Sequence, residues 1–207
     1  IAENTFSTDS AAERVATRSA TDSEISGHHG PIVVASDIDS DRLVRVKEAV
    51  SRLGLAGVAL LRADGRQLPF PDGTVGTVLV DAPCSGLGVL RRRPEARWRV
   101  AHTDITRMVD VQRQLLDEAA RAVAAEGVVV YSVCTLTDEE TLGIDEWLAV
   151  RHPDLLPCDI SGDVSENVSR DPWRLHGRGA LLLPTAAGTD GMYILTLQKS
   201  VAAERVA

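Results

Sequence analysis

From Pro31 onward, short apolar runs alternate with stretches of helical periodicity. Ile32-Val33-Val34-Ala35 suits a buried strand. Ser40 is placed to cap a helix whose Leu43, Val46, Val50 and Leu53 share one face, and Gly54 stands where that helix should stop. A second apolar run, Val58-Ala59-Leu60-Leu61, follows, and a third, Val75 to Val80, comes after the turn Pro71-Asp72-Gly73. A loop over residues 82–103 leads to a helix predicted from Asp104 to Ala125, with Met108, Val111, Leu115, Ala119 and Val123 on one stripe and Gly127 at its end. Val128-Val129-Val130-Tyr131 predicts another buried strand. Thr137-x-x-Glu140 has capping-box spacing and predicts a helix through Leu142, Trp147 and Leu148. Two short runs, Leu181 to Leu183 and Tyr193 to Leu197, flank Gly188-Thr189-Asp190-Gly191 and predict antiparallel strands.

Strands alternating with helices predict an α/β domain with a largely parallel sheet. Ligands in such folds bind outside the carboxyl ends of the strands. The residues there are Asp37 after the first run, Asp64 after the second, Asp81-Ala82-Pro83-Cys84 after the third and Cys134 after the fourth. Three carboxylates and two thiols would line one rim. Each has a bland reading when taken alone. A loop aspartate such as Asp37 commonly caps the next helix. Asp64-Gly65 is turn chemistry, and a lone cysteine is most often inert and buried. Their combination in order is what points to a site.

Composition narrows the class. The chain has 207 residues, enough for one domain with a sizeable core. No stretch approaches the roughly 20 apolar residues of a membrane span, and the first thirty positions lack the basic start and apolar centre of a signal peptide. The three cysteines form no C-x-x-C pair, and the five histidines do not fall at metal-ligand spacings with them. A cytoplasmic monomer without a metal is the expectation. The net charge of −8 makes the chain a poor generic polyanion binder, so any nucleic-acid contact must rest on a local basic patch or on a further domain.

The string DAPCSGLGVLRRRPEARWR, followed by VVVYSVCTLTDEE, resembles the fourth and sixth motifs of the RsmB/Sun (Nop/Sun) family of bacterial 16S rRNA cytosine-C5 methyltransferases. ASDIDSDRL and RADGR resemble that family's second and third motifs, and GTDGMYILTLQK its C-terminal strand pair. The resemblance implies a Rossmann-like class I methyltransferase fold, with S-adenosyl-L-methionine as cofactor and RNA as partner. It implies that Asp37 holds the cofactor ribose with Arg42 in support, and that Asp64 meets the adenine side. Asp81 and Pro83 resemble residues near the methyl-transfer centre. Cys134 resembles the nucleophile, and Cys84 the cysteine that helps release the product. A thiolate added at carbon 6 of cytosine turns the ring into an enamine whose carbon 5 can accept a methyl group. That role needs a thiol whose pKa is lowered by its surroundings. Five arginines, Arg91, Arg92, Arg93, Arg97 and Arg99, lie beside Trp98 just after the Pro-Cys motif and suit contact with phosphates and unstacked bases.

The chain departs from the family in one respect. The glycine-rich first motif, of the D-x-C-x-x-P-G-G-K type, is not in the sequence, which begins at Ile1 rather than Met. Residues 1–30 are read as a remnant of the first helix and a Ser/Thr-rich insertion, and residues 31–207 as the catalytic domain lacking its first strand. The expectation is an incomplete piece, inactive alone, with two inner sheet edges left unpaired. Three other readings stay open. A DNA cytosine-C5 methyltransferase would exchange the roles of Cys84 and Cys134. A non-catalytic RNA-binding or assembly factor would keep the fold and lose the cofactor. A thiol redox protein would use the same two cysteines.

Overall fold

The computed structural model describes residues 32–158 and 172–201. The remnant and insertion expected over residues 1–30 lie outside them. The chain divides into two compact units, one ending at Arg62 and the other beginning at Ala63.

In the first unit, strand β1 (Val33–Asp37) leads into helix α1 (Ser40–Leu53) and strand β2 (Val58–Arg62). β1 and β2 pair in parallel, Val33 opposite Val58 and Asp37 opposite Arg62. The cap of α1 is Asp39 and not Ser40: its carboxylate accepts from the amides of Asp41 at 2.8 Å and Arg42 at 3.4 Å. Asp39 has the extended backbone of a cap, whereas Ser40 is already helical. Gly54 ends the helix in the left-handed conformation, at φ 62°, where a glycine costs least.

The second unit starts with β3 (Val75–Asp81), a 3₁₀ turn (Leu87–Val89) and the short helix α2 (Ala96–Arg99). Helix α3 (His102–Ala122) passes directly into the long strand β4 (Val123–Val133), followed by α4 (Leu142–Arg151) and β5 (Leu155–Pro157). β6 (Trp173–His176), β7 (Gly179–Leu182), the helical turn α5 (Pro184–Ala187) and β8 (Met192–Lys199) complete it. The sheet order is β3-β4-β8-β7-β6, with β5 also paired to β8. β3 and β4 are parallel, and the pairs made by β8, and β6 with β7, are antiparallel. β5 and β6 were not legible as strands.

Gly127 does not end the preceding helix as its position suggested. α3 stops at Ala122, because Val123 already pairs with Val75 in the ladder, and Gly127 lies inside β4. The register shifts between Val75 and Thr77, and Glu126 there takes φ 62°. A side chain at Gly127 would meet the carbonyl of Gly76 at 2.8 Å, so the bulge requires a glycine. The capping box expected at Thr137 does not form either. α4 begins at Leu142, and the carboxylate of Glu140 turns inward, where it gains partners deeper than a helix end could offer.

The core of this unit packs α3 and α4 on the sheet. Leu116, Val123, Val129, Tyr131, Ile144, Leu148, Tyr193, Leu195 and Leu197 are all buried, and the rings of Tyr131 and Tyr193 meet edge to face at 6.3 Å.

Candidate active site

The parallel ladder of β3 and β4 sets the site. Asp81 lies opposite Ser132, so both strands reach their carboxyl ends side by side. Cys84, three residues past β3, and Cys134, the first residue past β4, are thereby brought together with their sulfurs 3.5 Å apart. The amide of Ala82 bonds the carbonyl of Ser132 at 3.1 Å and carries the pairing one step beyond β3. Both thiols are free and half-buried.

Electrostatics divides the pair. The hydrogen bond from Cys84 lowers the pKa of Cys134 to about 7, against burial and the carboxylates of Asp81 and Asp190, which push it up. Cys84 is pushed far above the ordinary thiol range, first by that same bond, then by burial and by the charge on Cys134. The arrangement favours a thiolate at Cys134 with Cys84 as its S–H donor. Asp81, at the end of β3, is exposed.

The loops around the pair are locked by backbone. The amide of Gly88 donates to the carbonyl of Cys134 at 3.0 Å, and the amide of Gly191 to the carbonyl of Gly88 at 2.8 Å. A side chain on Gly88 would run into both carbonyls that flank it, those of Gly191 and Cys134, the latter at 2.9 Å. A bare glycine is what lets three loops meet there.

Several residues join this site that the sequence reading does not assign to it. Glu140 is fully buried, and its carboxylate takes the amide and hydroxyl of Ser85, the hydroxyls of Thr135 and Thr137, and the side-chain amide of Gln112. Gln112, also fully buried, donates at 2.9 Å to the carbonyl of Pro83 as well. Asp190, in the GTDG string, pairs with Arg92 at 2.6 Å. The buried face of α3 is offset by one residue from the stripe read in the sequence: Ile105, Val109, Gln112 and Leu116 are buried where Met108, Val111 and Leu115 were expected, and a polar residue such as Gln112 on that face is unreadable until its partners are known.

The arginine segment is outside the core. Arg91, Arg93, Arg97 and Arg99 are exposed, and Trp98 is 83% exposed, with the Arg97 guanidinium 5.5 Å from its ring centre. Arg92 differs from its neighbours, because its guanidinium is engaged by Asp190.

The carboxylates expected to meet a cofactor are placed as follows. In the first unit, Asp37 closes β1, accepts from the amide of Asp39 at 2.8 Å and faces Arg42 at 3.7 Å. In the second, Asp64 holds the Arg66 guanidinium through both oxygens, which lowers its pKa to about 2. Acidic groups at strand ends fit the hydroxyl and amino donors of a nucleoside. No helix among the described residues is long and apolar enough to cross a membrane. No cluster of three or more metal-binding side chains occurs among them.

A family model described as 16S rRNA methyltransferase RsmB/F matches residues 20–198. The ribosomal RNA small subunit methyltransferase B of Thermus thermophilus is 35% identical over 171 residues, which are 82% of this chain and 40% of that protein. The methyltransferase F of Serratia proteamaculans is 32% identical over 170 residues, 81% of this chain and 35% of that protein. The chain therefore spans two fifths or less of the length of these relatives. The crystal structure of NSun6 from Pyrococcus horikoshii with SFG superposes with a TM-score of 0.66 at 25% identity, covering 82% of this chain and 42% of that one.

Proposed function

Because the chain belongs to the RsmB/F family of 16S rRNA methyltransferases, we propose that it forms part of an enzyme that methylates carbon 5 of a cytosine in RNA, with 16S ribosomal RNA as substrate. The observation that carries this reading is the thiol pair, Cys84 and Cys134, with sulfurs 3.5 Å apart at the ends of adjacent parallel strands.

The two cysteines divide the work by charge. Cys134, titrating near 7, is in good part thiolate at neutral pH and adds to carbon 6 of the base. S-adenosyl-L-methionine, when bound, would supply the electrophilic methyl group; the residues suited to contact it are Asp37 and Arg42 in the first unit and, taken separately, Asp64 and Pro83 in the second. Asp81 would stabilise the negative charge developing at the ring nitrogen by sharing a proton with it in a hydrogen bond. Once Cys134 is bonded to carbon 6, its negative charge is gone. The hydrogen bond to that charge, burial and the charge itself keep Cys84 protonated, so Cys84 becomes more acidic once the adduct forms; after its proton passes to solvent, the Cys84 thiolate takes the carbon 5 proton. Loss of that proton lets the bond from carbon 6 to Cys134 break and frees the thiolate. The target must be single-stranded or flipped out to reach two half-buried sulfurs. The arginines and Trp98 suit its flanking phosphates and bases.

The test is a pair of substitutions in the full-length protein. Cys134→Ala should abolish methylation and covalent capture of RNA containing 5-fluorocytosine. Cys84→Ala should still attack the base and accumulate a denaturation-resistant RNA–protein adduct. The opposite pattern would assign the roles of a DNA-type enzyme. The absence of methylation and of capture by the unsubstituted protein would favour a non-catalytic factor.

A further inference from the structure

We propose that Glu140 is a positioning residue whose buried carboxylate holds the two cysteine loops so that the thiols stay in hydrogen-bonding contact. The proposal rests on the covalent reading above and adds to it a residue outside the reacting atoms.

The geometry is specific to the cysteines. Each is clamped through its immediate neighbours. Ser85, next to Cys84, gives Glu140 its amide at 2.8 Å and its hydroxyl. Thr135, next to Cys134, gives its hydroxyl at 2.8 Å. On the other side of Cys84, the carbonyl of Pro83 takes the Gln112 side chain, which also donates to Glu140 at 3.0 Å. The hydroxyls of Ser85 and Thr135 touch each other at 2.8 Å, so the two loops meet at the carboxylate itself. Thr137 adds a further donor at 2.9 Å.

A buried carboxylate is costly unless its acceptor sites are filled. Here five donors fill them, from three segments of chain. A helix-capping glutamate would stand at an exposed helix start. Glu140, Gln112 and Thr135 have no exposed surface at all. The sulfur contact is a weak hydrogen bond and depends on separation, so it needs an external brace. Glu140 has no contact with the substrate side in this scheme and acts through Ser85, Thr135 and Gln112.

The experiment uses Glu140→Gln in the full-length protein. Glutamine keeps the shape but puts an amide donor where one carboxylate oxygen was. Facing the Ser85 and Gln112 N–H groups, that donor finds none to accept it. Facing the hydroxyls, it forces them to reverse. Two readouts are taken beside the melting temperature: the turnover number and the pH midpoint of iodoacetamide alkylation at Cys134. The expected result is a turnover number roughly 10–100-fold lower, as for a small misplacement of reacting groups. The RNA KM should hold, and the alkylation midpoint should rise from about 7 toward an ordinary thiol near ~8.5. Asp81 and Asp190, which also bear on Cys134, are untouched in this variant.

Unchanged turnover and midpoint in a folded Glu140→Gln protein would overturn the proposal. So would a fall in turnover with the midpoint fixed, which a general loss of packing would produce. Should Glu140→Gln not fold, Thr135→Val and Ser85→Ala each cut the brace on one cysteine only, and an unmoved midpoint in both overturns it equally. The alkylation midpoint does not depend on methyl transfer. If it rises in the variant while the unsubstituted protein methylates no RNA, the positioning stands and the methyltransferase reading fails.

Discussion

Helices α1 and α3 come from the same kind of sequence pattern and end in opposite surroundings. Both carry an apolar stripe at helical spacing. α3 buries Ile105, Val109, Gln112, Leu116, Ala119, Ala120 and Ala122, whereas α1 buries none of its residues. Leu116 has no exposed surface, and Leu53 is 59% exposed. The stripe shows that a helix forms, while the buried side of α3, with Ile105, Val109 and Leu116, is set by its partners. Burial depends on what the rest of the chain puts opposite. α3 lies on a six-stranded sheet. Within the first unit α1 packs on β1 and β2, and a two-stranded sheet supports little by itself. Val33, Val34 and Leu60 on those strands stay 54%, 41% and 37% exposed. The thiol pair stands in the unit with the packed core, where the side chains that orient it can be held still.

The largest effect expected from this contrast is on stability. Leu116→Ala should cost about 2–5 kcal/mol, the range for a large apolar side chain removed from a closed core. Leu53→Ala should stay within about 0.5 kcal/mol, as for a surface position. Urea unfolding of the chain with each substitution measures both. A cost for Leu53 as large as that for Leu116 would break the comparison, because it would show α1 buried after all.

The contrast also sets what was legible in the sequence. The apolar runs give β1, β2 and β3 to within a residue or two, and the Pro-Cys string and the SVCT string locate the two thiols. Strand-end position alone places Asp37 at the end of β1 and, in the second unit, Asp81 and Cys134 at the ends of β3 and β4. What stayed hidden depends on partners far along the chain. Thr137-x-x-Glu140 matches a local capping pattern, but Ser85 and Gln112 offer Glu140 more donors than a helix end does. Gly127 looks like a helix stop, but Val123 is taken by Val75 four residues earlier. β5 and β6, short strands of three and four residues, have too few positions to show a period. In each case a tertiary contact outweighs a local propensity.

A smaller effect should appear within the first unit. Asp39→Ala removes the cap of α1, so the amides of Asp41 and Arg42 lose their acceptor. Because α1 buries nothing, the loss should appear as local fraying, with faster hydrogen exchange at those amides, and should leave the unfolding of the second unit unchanged. The two amide hydrogen bonds hold the Asp39 carboxyl below its ordinary pKa. A lowered carboxyl pKa means the protection is present at neutral pH and is lost as pH falls through the folded value. Unfolding of both units at once in Asp39→Ala would sharpen the picture in the other direction, toward a first unit whose order supports the second.

The smallest effect separates neighbours within the arginine segment. Arg91 and Arg93 are exposed, and their charges are available to phosphates. Arg92 already faces Asp190 at 2.6 Å. If Arg91 and Arg93 neutralise RNA phosphates, replacing each with Gln should flatten the log–log salt dependence of RNA binding by about 0.7 for single strands. Arg92→Gln should change that slope less. It should act on the thiol instead, because the carboxylate of Asp190 raises the pKa of Cys134 and would lose the guanidinium that offsets it. The alkylation midpoint of Cys134 should therefore move upward in Arg92→Gln and stay in place in the other two. RNA affinity across a salt series and alkylation across a pH series, on the three single variants of the full-length protein, separate the roles. Equal slopes and equal midpoints for all three would make the segment one uniform basic surface, with the pairing of Arg92 to Asp190 of no consequence for the site.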